Sequence, residues 1–121
     1  MLAVDTNVVI RYLTKDEARQ SAQARVLVDG NDVLLTTTVL LEADWVLRSA
    51  FKYSRQDAVA ALRAFAGLPT INLDQPSLVA LAFDWALRGM DFADALHMAA
   101  SKHCEAFMSF DRDLEIGRAH V

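Results

Sequence analysis

Glycine and proline are scarce, four and two among 121 residues, and no repeat, low-complexity tract or linker interrupts the chain. A single cysteine, Cys104, excludes an internal disulfide and suits a reducing cytoplasm. Within MAASKHCEA it reads as a helical packing residue rather than a nucleophile. No apolar run approaches the ~20 residues that span a bilayer. Asp5 interrupts the N-terminal stretch and no basic region precedes it, so no signal peptide is expected. A basic excess is missing too: 12 Lys and Arg face 16 Asp and Glu, a net charge of −4. Strong general binders of nucleic acid usually carry such an excess, so composition alone weighs weakly against that role.

What is abundant is apolar. Hydrophobic residues make up 54% of a chain whose length points to one domain over residues 1–121. A chain of this size hides roughly two-thirds of its unfolded surface and builds a core without staples. The apolar surplus has two readings, a partner-covering surface or a helix-rich domain with much Ala and Leu.

Strands and helices alternate along the sequence. Leu2 to Val4 reads as a short buried strand, followed by a helical turn or two through Val8, Val9, Ile10, Tyr12 and Leu13. Asp16 and Glu17 open an amphipathic helix with Ala18, Ala22, Val26 and Leu27 inward, closed by a left-handed Gly30. Val33 to Thr36 is a second strand. Thr37 or Thr38 caps a helix with Leu41, Trp45 and Val46 inward, ending near Tyr53. Ser54 to Asp57 resembles a capping box that starts another helix through Ala58, Leu62 and Phe65. Thr70 to Leu73 is a third strand. A helix capped near Asp74 carries Leu78, Leu81, Ala82, Trp85 and Ala86 to Gly89. A helix from Phe92 to His103, a fourth strand at Ala106 to Ser109 and a short helical tail complete the pattern. Such alternation predicts a parallel sheet covered on both faces, with ligands at the carboxyl ends of its strands near a reversal of strand order.

Four acids stand where elements meet that end: Asp5, Glu42, Asp94 and Asp111. Setting them aside leaves 12 acids from the 16, against 12 bases, so the net charge equals that of the four. Each has a bland reading. Asp5 can cap the following turn, Glu42 can be a solvated acid near a helix start, and Asp91 can be an N-cap with Asp94 in the first turn. Asp44 and Asp113 read as surface acids. Carboxylates gathered together repel unless a cation lies among them. Oxygen-only donors select a hard ion, Mg²⁺ or Mn²⁺, and such ions polarise phosphate and activate water. His97 reads as a packed or hydrogen-bonded residue, and no cysteine pair makes a zinc set of His97, His103 and Cys104.

DTNVVI, TxxLLEADWVL, DFADALHMAA and SFDRDL together resemble PIN-domain ribonucleases, and among them the VapC-type toxins of toxin–antitoxin pairs. The likeness spans essentially the whole chain. It implies an α/β fold, a three-layer α/β/α sandwich with a short central parallel sheet. It also implies a cytoplasmic, Mg²⁺- or Mn²⁺-dependent endoribonuclease, a homodimer, RNA as substrate and a cognate antitoxin as inhibitor. Carried over position by position, Asp5, Glu42, Asp94 and Asp111 form the acidic metal site, with Asp91 as an accessory acid. Thr6, Asn7 and Ser109 are implied supporting groups. Family members usually continue into a final edge strand where this sequence ends at Gly117–Val121, so that strand is expected to be missing, displaced or supplied differently. Arg11, Lys15 and Arg112 are candidates for holding RNA phosphates. A PIN-like module that binds without cutting is the alternative, opposed by clustered negative charge facing phosphates. A phosphatase of the haloacid-dehalogenase type is remote, because Asn7 stands where its second Asp belongs.

Overall fold

The computed structural model describes residues 1–110. The expected sites at Asp111, Arg112 and Asp113, the helical tail and the edge-strand question lie outside the described residues. Nine elements follow in order: β1 (Leu2–Ala3), α1 (Thr6–Thr14), α2 (Ala18–Asp29), β2 (Val33–Leu35), α3 (Thr37–Ala50), α4 (Arg55–Ala66), β3 (Ile71–Leu73), α5 (Pro76–Leu87) and α6 (Phe92–Ala100). The fold is α/β, with six helices and a three-stranded parallel sheet among the described residues.

The sheet order is β1-β2-β3, all parallel, with Leu2 opposite Val33 and Val33 opposite Ile71. Successive residues alternate between faces, and here the faces differ. Val33 and Leu35 are fully buried, whereas Ala3 and Asn72 in the alternate row are exposed and Leu34 is half-buried. The order contains no reversal among the described residues.

The expected fourth strand at Ala106 to Ser109 joins no ladder there. Extended residues become a strand only where an edge offers its N–H and C=O groups, and the free edge of β1 is two residues long. Instead the Phe107 ring stacks on His97, with centroids 6.3 Å apart and planes at 12°. Helix α6 stops at Ala100, so Cys104 lies beyond it and is exposed, against the expectation of a packed helical position.

Helix starts were legible to within a residue or two. Helix α3 is capped by Thr36 rather than Thr37 or Thr38, and α5 starts after Gln75 with no side-chain cap, while Asp74 accepts from Thr37. Inward faces were less legible. Ser54 caps α4 by accepting from the Asp57 N–H at 3.0 Å, and Ala58, Leu62 and Phe65 are buried as their spacing predicts. Ser54→Ala should cost about 1 kcal/mol, read as a shifted urea midpoint with an unchanged slope. Helix α2 instead buries Ser21, Ala24 and Val28, while Ala18, Ala22 and Val26 face outward. Small Ser21 and Ala24 suit a close approach to α1, and that outweighs the more apolar stripe. In α3 the buried residues are Leu40, Ala43, Asp44 and Leu47, and Trp45 is 64% exposed rather than inward. Gly30 is not left-handed, with φ −99°. A Cβ there would stand 2.9 Å from the Val26 carbonyl oxygen, so glycine serves close approach. Gly89, at φ +116°, is the glycine that ends a helix in that way.

Candidate active site

Asp5 leaves β1 with extended backbone, φ −85° and ψ 165°, and becomes the N-cap of α1. Its Oδ1 accepts from the Thr6 N–H at 2.7 Å. The cap reading is therefore realised, and it uses one carboxylate oxygen. Thr6 is buried, and its hydroxyl donates to Oε1 of Glu42 on α3. This contact joins residues 36 apart in sequence and places the end of β1 beside the second turn of α3. Sequence reasoning made Thr6 a supporting group for Asp5; its observed partner is Glu42. Asp5 and Glu42 are both exposed, and each keeps a second oxygen with no hydrogen bond among the described residues.

Glu42 also borders a cavity of about 350 Å³ on the α3 surface, lined by Thr38, Leu41, Asp44, Trp45, Arg48 and Ala93. Ala93 brings the first turn of α6 to this cavity. Asp91 caps that helix, its Oδ2 accepting from the Asp94 N–H at 3.3 Å, and Asp94 is half-buried in the first turn. The positive end of the α6 dipole favours a carboxylate there.

Asp44 corrects the sequence reading. It is 1% exposed, not a surface acid, and its Oδ2 pairs with Nη2 of Arg48 at 2.9 Å. Burial pushes its carboxyl above the ordinary range, and the Arg48 guanidinium pulls partly the other way. Arg48 also approaches Asp91 Oδ1 at 3.5 Å, and Arg55 approaches the same oxygen at 3.9 Å. Sequence reasoning missed this network. An acid and a base four residues apart on an apolar helix was the available signal.

Other expected groups lie elsewhere. Asn7 lines a separate cavity between α1 and α2 with Val8, Arg11 and Gln20. Arg11 pairs with Asp16 at 2.8 Å and donates to Gln20 at 2.7 Å, so it is engaged within its own hairpin. Lys15 is the left-handed C-cap of α1. His97 is exposed and stacks on Phe107, while its neighbour Met98 is buried.

The donor chemistry at Asp5, Glu42 and Asp94 is oxygen only, which fits a hard divalent cation. Among the described residues no three His, Cys, Asp or Glu stand close enough to form a completed metal-holding group, and the fourth acid, Asp111, is outside them. Thr6→Val should leave Glu42 unheld. A lost outer partner of a ligand costs roughly 10–100-fold in activity or metal affinity. Mn²⁺ affinity lowered about tenfold at an unchanged melting temperature, read by calorimetry, would assign that role to Thr6.

A family model described as PIN domain matches residues 2–118. No curated protein and no solved structure matches the chain. Among the described residues no helix is long and apolar enough to cross a membrane.

Proposed function

The chain belongs to the PIN-domain family, a nuclease-type family, and from that premise we propose that it is a metal-dependent endoribonuclease acting as the toxin of a toxin–antitoxin pair. The single observation that supports this most is the Thr6–Glu42 hydrogen bond. It sets Glu42 beside the neighbour of Asp5, these being two of the four acids that the family motifs single out, where the parallel pairing of β1 and β2 carries α1 and α3 to one end of the sheet.

Asp5, Glu42, Asp94 and Asp111 would hold Mg²⁺ or Mn²⁺. Bound there, a divalent cation supplies positive charge to a phosphodiester and lowers the pKa of a water at neutral pH. The protein's own part is orientation. Asp5 is fixed by the Thr6 N–H and Glu42 by the Thr6 hydroxyl, so one residue sets two carboxylates. Asp94 is set by the start of α6, whose first-turn amide Asp91 caps. A preset arrangement avoids reorganisation when charge develops on the phosphate.

The biological partners follow from the same reading: RNA as substrate, a second copy in a homodimer, and a small antitoxin that covers the site. The protein would act in the cytoplasm. Cleavage of synthetic RNAs and total RNA should require Mg²⁺ or Mn²⁺, cease with EDTA, and resume when the metal is restored. Products carrying a 5′-phosphate and a 3′-hydroxyl are expected. Cleavage that persists through chelation would sink the metal-dependent reading. Absence of any Asp5-dependent Mn²⁺ uptake would favour a module that binds without cutting.

A further inference from the structure

The Asp44–Arg48–Asp91 chain carries an inference that rests on the nuclease reading and deepens it. Nη2 of Arg48 lies 2.9 Å from Asp44 Oδ2 and 3.5 Å from Asp91 Oδ1. One guanidinium nitrogen thus spans a carboxylate buried in α3 and the carboxylate that caps α6. The second Asp91 oxygen accepts from the Asp94 N–H. Both oxygens of Asp91 are engaged by the protein. A cation at that carboxylate would also stand beside the positive charges of Arg48 and Arg55, which repel it.

The cost of the arrangement points the same way. Asp44 Oδ1 and Arg48 Nε are buried without a hydrogen-bond partner among the described residues. A buried pair satisfied this incompletely contributes little net stability compared with apolar residues of similar size. Its consequence is geometric, because it ties the middle of α3 to the first turn of α6. We propose that Arg48 and Asp91 are positioning residues. Arg48, anchored by Asp44, holds Asp91 in its capping orientation, and Asp91 fixes the turn that presents Asp94 to the metal. Asp91 is then a support rather than a ligand.

The test compares Asp91→Asn with Asp91→Ala, because asparagine remains a good N-cap and alanine does not. Mn²⁺ alone is titrated by calorimetry into each full-length protein, with Asp94→Asn and the double variant Asp44→Leu/Arg48→Met alongside. The double variant removes the buried charge together with its partner, so it avoids leaving either one alone. Asp91→Asn should stay within about threefold of the parent affinity, while Asp91→Ala and the double variant weaken it about tenfold, as loss of an outer partner does. RNA cleavage should follow the same order. Asp91→Asn losing as much Mn²⁺ affinity as Asp94→Asn would make Asp91 a ligand and overturn the inference. So would parental affinity in both Asp91→Ala and the double variant. If the double variant does not fold, the two Asp91 substitutions decide alone. A parent protein that takes up no Mn²⁺, or an Asp5→Asn protein that cleaves like the parent, defeats the nuclease reading itself. That outcome is separate from any difference among the Asp91 variants.

Discussion

Asparagine in place of Asp5 or Asp94 should lower RNA cleavage by on the order of 10³-fold while the protein stays folded. Each substitution removes one negative charge from the acids proposed to hold the metal. Metal-assisted stabilisation of a phosphoryl transition state amounts to several kcal/mol, and about 4 kcal/mol corresponds to a factor of 10³. Stability should change little. An asparagine in place of Asp5 can still cap α1, and an acid in the first turn of a helix contributes only ~0.3–1 kcal/mol. The double variant should be hardly worse than either single one, because groups acting as a unit fail together. Single-turnover cleavage at saturating RNA and Mn²⁺, with thermal melting of the same preparations, separates the two effects. Equal cleavage by the parent and both variants would indicate a contaminating nuclease and remove the assignment.

Asp44→Ala is expected to destabilise the fold by about 3 kcal/mol. Breaking a buried ion pair by removing one partner costs ~3–5 kcal/mol, since the other charge is left behind. The lower end applies here, because Arg48 keeps Asp91 within 3.5 Å and is itself partly exposed. Asp44→Leu/Arg48→Met should be much closer to neutral, since no stranded charge remains. Urea denaturation of both variants checks this, and the contrast between them matters more than either value. A loss under about 1 kcal/mol in Asp44→Ala would mean that Asp44 is not held in the buried pair.

Much of the architecture could be read from residue order alone. The three short strands, the capped starts of α4 and α6 and the glycine end of α5 follow from local chemistry: β-branched runs, Ser54 and Asp91, and Gly89. The inward faces of α2 and α3 could not be read as well. In α2, two small residues that admit α1 outcompeted the stripe of Ala18, Ala22 and Val26. In α3, Trp45 was judged by its hydrophobicity and Asp44 by its charge, and packing reversed both. Helical spacing fixes which residues share a side but not which side meets the core, and that choice depends on neighbours distant in sequence.

The candidate site divides the same way. Sequence by itself determined the acid inventory, the capping roles of Asp5 and Asp91 and the family motifs that carry Asp5, Glu42, Asp94 and Asp111, because caps and motifs are local patterns of residue type. Only the tertiary structure decided that Thr6 reaches Glu42 and that Asp44 is buried beneath a partly exposed Arg48. It also decided that Asp91 faces two arginines rather than standing open. The Thr6–Glu42 and Arg48–Asp91 contacts join segments across the fold, whereas the Asp44–Arg48 pair is local to α3 and only the burial of Asp44 depends on packing. No local pattern encodes the contacts between elements.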